Sequence, residues 1–325
     1  MSDHNSGLDF CVVGAGFAGL RVAAALDAAG ADYLMLDKGR SPGGRAATRR
    51  ISEARVDHGI PWLTRTGGLS DELIDRLREV DLIERLFVGG QVGDVWSCRD
   101  GINAVAKYLA VNLNASYSHR VEALEPVGEQ DKPCLLRVTG PDGGSSEIHA
   151  RRVIVTAPVP QMLEMAPFMA EAVGNVEADA VYEKAVLGLA RLRHSGEVPD
   201  QALFENPAEG IEAVIVESAK FPERPPSVTI RCDPETSDRL FDFSDEDTWD
   251  WMAERFAGLP LLAEEPEEHQ VKRWRYSKPL NPVPAPFASL GAVSACGDGF
   301  DTGAETGLEA ALRSAQALLD QEIKL

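Results

Sequence analysis

Three glycines near the start of the chain have the spacing that brings a backbone turn close to phosphate groups. Gly14, Gly16 and Gly19 follow the apolar segment Leu8–Val13 in a GxGxxG pattern, and good helix formers come next. In such a turn the first glycine allows the tight bend, the second admits a pyrophosphate, and the third lets the helix pack closely on the strand. The first N–H groups of that helix then point at the phosphates. The pattern predicts a dinucleotide site.

An acidic residue and a second glycine-rich segment extend this site. Asp37 ends the next apolar segment, 18 residues after Gly19, where a carboxylate suits a ribose diol. Residues 38–45 then carry two adjacent glycines and Arg45, whose forked donors match pyrophosphate oxygens. The alternative interpretation is a strand–helix crossover with an accidental glycine turn. Because the strand, turn, helix and acid occur together, we expect binding of an adenine dinucleotide.

A second glycine-containing segment, near the end of the chain, indicates which dinucleotide is bound. Gly297-Asp298 closes an apolar segment, and a helical pattern predicted over 304–321 follows it. A nicotinamide dehydrogenase needs only the first glycine motif, whereas FAD, held along its whole length, needs a second site for its flavin end. The alternative interpretation is a strand-end turn capped by Asp298. The pairing of the two segments predicts FAD.

Composition and charge limit the other classes of function. The net charge of −20 disfavours binding to nucleic acid or to anionic lipid. The sequence contains no run of 18 apolar residues, so we expect no membrane-spanning helix. Residues 1–7 are polar and do not resemble a signal peptide. The 5 cysteines are scattered without metal-ligand spacing, so we expect no metal site and a cytoplasmic location. The sequence does not predict an oligomeric state.

The order of predicted elements indicates an α/β fold with two interleaved domains. Apolar segments alternate with helical patterns, which is typical of a parallel, Rossmann-like sheet. One helix is predicted from Ser70, as N-cap, to Phe87. We assign 1–60, 100–165 and 285–325 to a discontinuous FAD-binding domain. A smaller α+β substrate domain takes 61–99 and 166–284.

Several segments together resemble one family. Asp37-Lys38 followed by Gly43-Gly44-Arg45 resembles the extended fingerprint of the flavin amine oxidase superfamily. Within it, the segment Arg273–Pro279 is similar to the RWxYxxP segment of renalases. The C-terminal Gly297-Asp298, with Gly303 and Glu305, resembles their flavin segment. The resemblance spans nearly the whole chain, with few matching residues in its middle third.

This resemblance implies roles for individual residues in a non-covalent FAD site. The ADP half would lie against the first glycine motif and the segment after Asp37, with the backbone of Val121 at the adenine. Asp298 would bind the ribityl or pyrophosphate region, and the N–H groups opening the last helix would face flavin N1 and O2. The implied cofactor-binding residues are Gly14, Gly16, Phe17, Ala18, Gly19, Asp37, Lys38, Gly44, Arg45, Val121, Gly297, Asp298, Glu305, Thr306, Gly307 and Leu308.

The segment expected to lie near the substrate departs from the renalase pattern. Renalases commonly carry DxGAQYF after the GGR segment, whereas this chain reads Asp57-His58-Gly59-Ile60-Pro61-Trp62. Candidate pocket residues are His58, Trp62, Trp274 and Tyr276. For His58 the alternative is a hydrogen-bonded structural histidine, and for the three aromatic residues it is ordinary core packing.

Renalases oxidise off-pathway dihydropyridine isomers of NAD(P)H. The resemblance therefore implies an FAD-dependent oxidase that takes a hydride from 2- or 6-dihydroNAD(P), or a similar small planar donor, and passes electrons to O2 to form hydrogen peroxide. Two alternatives remain open. The same scaffold supports a flavin amine oxidase or a desaturase-like dehydrogenase, and the altered 57–62 segment leaves room for an FAD-binding protein without turnover.

Overall fold

A computed structural model describes residues 7–88, 94–129, 132–174, 182–193, 201–256 and 266–323. Its strands, in chain order, are β1 Leu8–Val13, β2 Tyr33–Asp37, β3 Thr48–Ile51, β4 Ala54–Asp57, β5 Leu63–Thr64, β6 Glu84–Arg85, β7 Val95–Ser97, β8 Ala115–Tyr117, β9 Arg120–Glu129, β10 Lys132–Thr139, β11 Ser145–Val155, β12 Tyr182–Arg191, β13 Leu203–Ala208, β14 Ile211–Val216, β15 Ser227–Cys232, β16 Glu268–Pro279, β17 Ala288–Leu290 and β18 Val293–Ala295. The helices are α1 Phe17–Ala28, α2 Leu69–Glu79, α3 Asn103–Leu109, α4 Val159–Met165, α5 Ala170–Val173, α6 Glu217–Lys220, α7 Pro234–Leu240, α8 Asp245–Phe256 and α9 Gly307–Gln321, with a 3-10 turn at Pro167–Met169.

Contacts within the chain define two compact units. The first unit comprises Met1–Gly44, Ala106–Val181 and Pro279–Leu325, and the second comprises Arg45–Val105 and Tyr182–Lys278. Each unit contains a sheet with helices, so the predicted α/β class is confirmed.

The bounds of these units differ from those of the predicted domains. The predicted FAD-binding domain included 45–60, but the hairpin β3–β4 packs on β12 of the second unit through apolar side chains. The predicted substrate domain included 166–174 and 279–284, which belong to the first unit by their contacts. The functional names of the two domains stay predictions.

The first unit is built on a mixed sheet whose centre is parallel. Its main strand order is β17-β18-β11-β1-β2-β8, and β18, β11, β1, β2 and β8 run parallel. The long strand β11 pairs with β10 through its first half and with β1 and β18 through its second half. Because parallel strands end at the same edge, the residues after β1, β2, β11 and β18 meet there.

Helices α1 and α9 cover one face of this sheet. Alanines and glycine along α1 let the two helices approach closely, and Leu20, Val22 and Leu26 are buried with Ala315 and Leu318 of α9. Burying each such leucine contributes about 2 kcal/mol, so this interface is a main source of stability for the first unit.

The second unit holds a five-stranded sheet in the order β13-β14-β15-β12-β16. Helix α8 covers it, with Trp249 and Met252 packed among apolar side chains of the sheet, Val228 and Ile230 among them. Two small sheets, β3–β4 and β5-β7-β6, complete this unit.

Two predicted helices have different bounds in the structure. The helix predicted over 70–87 begins at Leu69, after Gly68 as N-cap, and ends at Glu79. Asp81 has a φ of 53°, which cannot continue a helix, so the apolar spacing beyond it is coincidental. The last helix begins at Gly307 rather than 304, because extended Thr306 is its N-cap and accepts a hydrogen bond from the N–H of Glu309.

Among the described residues, no helix has the length and apolar character needed to cross a membrane.

Candidate functional site

The turn after β1 needs two of its three glycines for its own geometry. Gly14 has a φ of 108°, and a Cβ there would lie 2.5 Å from the Oγ1 of Thr156. A Cβ on Gly19 would lie 1.9 Å from the carbonyl oxygen of Gly14. Both positions therefore exclude a side chain, as the sequence predicts.

Gly16 differs, because its own neighbours leave room for a side chain. It has an ordinary extended conformation as the N-cap of α1, and no heavy atom lies within 4 Å of the position a Cβ would take. Gly44 approaches from the second glycine segment, where a Cβ would lie 3.5 Å from the Cα of Gly16. The N–H of Gly43 also donates to the carbonyl oxygen of Ala15 at 2.8 Å. The two glycine segments thus lie against each other at the N-terminal, positive end of α1.

Asp37 ties the glycine turn to the end of β2. Its Oδ2 accepts the N–H of Ala15 at 2.6 Å, and its Oδ1 accepts the N–H of Gly39 at 2.6 Å. A carboxylate has about four acceptor positions, so each oxygen keeps a further lone pair. Lys38 beside it has a pKa below its usual range, chiefly because it is partly buried and then because of nearby Arg120.

The strand that contains Val121 lies close to Asp37. The N–H of His119 donates to the carbonyl oxygen of Asp37 at 2.9 Å, and that of Ser118 donates to Gly39 at 2.7 Å. Val121 follows in β9 with a buried side chain and pairs with Val138 of β10. The structure therefore brings Val121 to the same edge of the sheet as the glycine turn.

The C-terminal segment reaches this edge through β18. Gly297 has a φ of 145°, and its N–H donates to the Oγ of Ser314 in α9 at 2.9 Å. The buried carboxylate of Asp298 lies at the start of α9, because a Cβ on Gly307 would be 3.6 Å from its Oδ2. Glu305 and Gly307 are exposed and Leu308 is buried. Asp298 and the opening residues of α9 are therefore neighbours.

Thr156 connects the two glycine motifs, a role that the sequence analysis missed. It follows β11, and its Oγ1 donates to the carbonyl oxygens of Val13 and Gly14 at 3.1 and 3.2 Å. Its own carbonyl oxygen would lie 3.7 Å from a Cβ on Gly297. The available signal was a threonine at the end of the apolar run 153–155, where the next parallel strand ends.

Arg45 contacts the segment that carries the RWxYxxP pattern. It belongs to the second unit, where its Nη1 donates to the carbonyl oxygen of Ser277 at 3.0 Å. Its carbonyl oxygen accepts the N–H of Ile60 at 2.9 Å, and a Cβ on Gly59 would lie 1.7 Å from that oxygen. Gly59 is therefore required for the 57–62 segment to pass this closely.

The side chains of His58 and Trp274 stack on each other. Their rings stack with centroids 5.6 Å apart at an interplanar angle of 18°, and the Nε1–H of Trp274 donates to the carbonyl oxygen of His58 at 2.6 Å. Burial lowers the pKa of His58 to about 4, and nearby Lys272 acts in the same direction. The imidazole is thus neutral at pH 7, and its buried Nδ1 has no hydrogen-bond partner among the described residues.

The other two candidate pocket residues lie in separate contacts. Tyr276 packs edge-on against Tyr182, with centroids 5.5 Å apart. Trp62 is half-buried, and the Nζ of Lys220 lies 5.8 Å from the centre of its ring.

A buried cluster of four charges adjoins the 57–62 segment, and the sequence analysis did not find it. Asp57, Glu217, Lys220 and Arg224 are all buried. Arg224 donates to the Oε2 of Glu217 at 2.6 Å, and Lys220 donates to its Oε1 at 2.9 Å. Burial raises the pKa of Glu217 to about 7, against the effect of the two cations. The spacing of charged residues on α6 does not indicate this cluster, because Asp57 lies far from α6 in the sequence.

Two family descriptions match the sequence. Residues 12–80 match a family described as an NAD(P)-binding Rossmann-like domain, which covers the first glycine motif and Asp37. Residues 67–319 match the family described as flavin containing amine oxidoreductase, and this match covers more than half of the chain.

Solved structures of oxidases share the fold. A double mutant of putrescine oxidase has 14% sequence identity and a TM-score of 0.70, and the alignment covers 97% of this chain and 98% of that chain. Wild-type putrescine oxidase bound to putrescine has 13% identity and a TM-score of 0.69, with the same coverage. A putative protoporphyrinogen oxidase from Exiguobacterium sp. 255-15 has 12% identity and a TM-score of 0.69, covering 96% of this chain and 97% of that chain.

The fold and the family match agree with the paired glycine motifs at the edge of the first sheet. The chain therefore belongs to the flavin containing amine oxidoreductase family and is an FAD-dependent oxidoreductase.

Proposed function

We propose that this protein is a renalase-like oxidase. Its electron donor is a reduced nicotinamide isomer, 2- or 6-dihydroNAD(P), or a similar small planar ring, and O2 is the acceptor. The observation that carries this proposal is the stack of His58 on Trp274. The resemblance of Arg273–Pro279 and of the GGR segment to renalases supports it.

The first unit offers a surface that fits the ADP half of FAD. The open space beside Gly16 leaves room for a pyrophosphate to approach the backbone. The first N–H groups of α1, at Phe17 and Ala18, supply hydrogen-bond donors to it. Asp37 keeps acceptor positions for the ribose hydroxyls. In this proposal Lys38, Gly44 and Arg45 bind the phosphates, and the backbone of Val121 binds the adenine.

The C-terminal segment fits the remainder of the cofactor. When bound, FAD would supply the hydride acceptor, whose reduced form carries negative charge near N1. Asp298 binds the ribityl or pyrophosphate region, next to Gly297. The N–H groups between Glu305 and Leu308 stabilise the charge at N1, because the N-terminus of the 15-residue helix α9 is positive.

The stacked rings of His58 and Trp274 fit a flat, neutral electron donor. A dihydropyridine ring loses its hydride readily because its own ring nitrogen supplies the electron density, so the protein must orient it rather than deprotonate it. A neutral imidazole stacked on an indole provides a flat surface for such a ring. Trp62 and Tyr276 are the further donor-binding residues in this proposal.

Steady-state peroxide formation tests the proposal. The purified holoprotein is supplied with the 2- and 6-dihydro isomers of NADH and NADPH, and in parallel with putrescine and with benzylamine. We expect peroxide from at least one dihydro isomer and none from the amines. Turnover of the amines alone would refute the proposal and would favour the amine oxidase alternative.

A further inference from the structure

We propose that Lys220 is a positioning residue that fixes the 57–62 segment and thereby sets the affinity for the electron donor. The inference rests on the proposed function, in which His58 and Trp62 of this segment contact the donor. It concerns a residue of α6 that lies more than 150 positions away in the sequence.

The Nζ of Lys220 has three acceptors for its three N–H groups. It lies 2.9 Å from the Oε1 of Glu217, 3.2 Å from the Oδ2 of Asp57 and 3.0 Å from the carbonyl oxygen of Pro61. The side chain is fully buried. An ammonium group in such a place is stable only when its donors are satisfied, and here they are.

Two of these acceptors lie at the two ends of the segment. Asp57 is held from its other side, because its Oδ1 accepts the hydroxyl of Thr48 at 2.6 Å and the N–H of Ile102 at 2.9 Å. Lys220 therefore connects a fixed point, Asp57, with Pro61, the residue before Trp62. This connection spans the backbone that carries His58 and adds to the hydrogen bonds that His58 and Ile60 make to Ala47 and Arg45.

Arg224 balances the charge of the cluster from a position outside the 57–62 segment. It donates to Glu217 and to the carbonyl oxygens of Cys98 and Arg99. Two cations thus face two carboxylates, Asp57 and Glu217. Because a buried ion pair can be replaced by apolar groups with little loss of stability, stability alone does not account for a lysine bonded to Pro61.

The test uses a double variant that keeps the cluster neutral. At pH 8, above the pKa of about 7 of Glu217, Lys220→Met together with Glu217→Gln removes one charge of each sign. It leaves Asp57 beside Arg224, whose Nη1 is 3.8 Å from its Oδ2. Lys220→Met alone is the second variant. Lys184→Met is the matched control, because this partly exposed lysine of the same unit forms an ion pair with Asp238 at 2.9 Å.

The first readout is hydrogen–deuterium exchange of the amides of His58 and Ile60, which donate to Ala47 and Arg45 in the wild type. We expect at least tenfold faster exchange at these two amides in the double variant, with exchange in β12 and β15 unchanged. The control should exchange like the wild type. Unchanged exchange at His58 and Ile60 would overturn the proposal.

The second readout is steady-state kinetics with the dihydronicotinamide that the wild type oxidises. We expect KM to rise at least tenfold in the double variant, with kcat within about threefold and FAD content unchanged. An unchanged KM would also overturn the proposal. If the wild type oxidises no dihydronicotinamide, the proposed function fails, and the exchange measurement still decides whether Lys220 holds the segment.

Discussion

Trp274 donates its indole N–H to the carbonyl oxygen of His58 at 2.6 Å while the two rings stack. One tryptophan thus holds both the backbone and the side chain of a residue that follows Asp57 in the altered segment. The contact joins the segment that departs from renalases with the RWxYxxP segment that resembles them.

Trp274→Phe keeps an aromatic ring but removes the donor to His58. We expect the free energy of unfolding to fall by about 1 kcal/mol, since a buried carbonyl oxygen loses its partner. We also expect KM for the dihydronicotinamide to rise roughly fivefold, which corresponds to a similar energy. Chemical denaturation and steady-state kinetics check both. Trp251→Phe on α8 is the control, and an equal rise in KM there would contradict a specific role for Trp274.

Substitution of Gly16 should affect FAD binding, whereas substitution of Gly19 should affect the stability of the fold. In Gly16→Val the side chain meets open space, so we expect a folded protein that no longer retains FAD. In Gly19→Ala the new Cβ would collide with the carbonyl oxygen of Gly14, so we expect the first unit itself to be destabilised. Circular dichroism and the flavin-to-protein absorbance ratio distinguish the two. Full FAD occupancy in Gly16→Val would show that the cofactor lies elsewhere.

Asp37→Asn should weaken FAD binding without unfolding the protein. An asparagine amide keeps one acceptor oxygen, so it cannot accept from Ala15 and Gly39 through two oxygens. We expect Kd for FAD to rise roughly 10- to 100-fold, which corresponds to a loss of about 1.5–3 kcal/mol. Titration of apoprotein with FAD measures this. Asp9→Asn, which removes an exposed ion pair with Arg151, should leave Kd unchanged.

His58 should make the protein less stable in acid. Its pKa is lowered to about 4 in the folded state by burial, with Lys272 and Arg49 acting in the same direction and Asp57 opposing them. Between pH 6.5 and 4 the unfolded chain binds a proton that the folded protein does not. The free energy of unfolding therefore falls by up to about 3 kcal/mol over this range. Urea denaturation at pH 8 and pH 4.5 should show a smaller difference for His58→Gln. An equal difference in both proteins would contradict a neutral His58 with a buried Nδ1.

FAD should be released when the protein is unfolded. All five cysteines are buried, and burial raises their thiol pKa values, to about 12 for Cys11, Cys232 and Cys296. Such thiols are poor nucleophiles for attachment to a flavin. After acid precipitation, we expect the yellow colour in the supernatant. Colour that stays with the polypeptide would contradict a non-covalent cofactor.

The local geometry of the glycine turn after β1 could be predicted from the sequence. The spacing of Gly14, Gly16 and Gly19, with Asp37 after the next strand, specifies a turn whose requirements are set within about 25 residues. The family match confirms the FAD prediction.

The parts that depend on distant segments could not be predicted. Thr156 joins the two glycine motifs only because β11 pairs with both β1 and β18. Lys220 meets Asp57 and Pro61 through the packing of α6, which no local spacing encodes. The helix predicted to reach Phe87 ends at Glu79 because a single backbone conformation at Asp81 outweighs apolar spacing.

Anaerobic reduction of the bound FAD distinguishes a dihydronicotinamide oxidase from an amine oxidase. The holoprotein is mixed with 2- or 6-dihydroNAD(P) in the absence of O2, and the visible flavin absorbance is followed in a stopped-flow instrument. We predict bleaching that saturates with donor concentration, and return of the absorbance when O2 is admitted. Bleaching by amines with none by either dihydronicotinamide would contradict the proposed function.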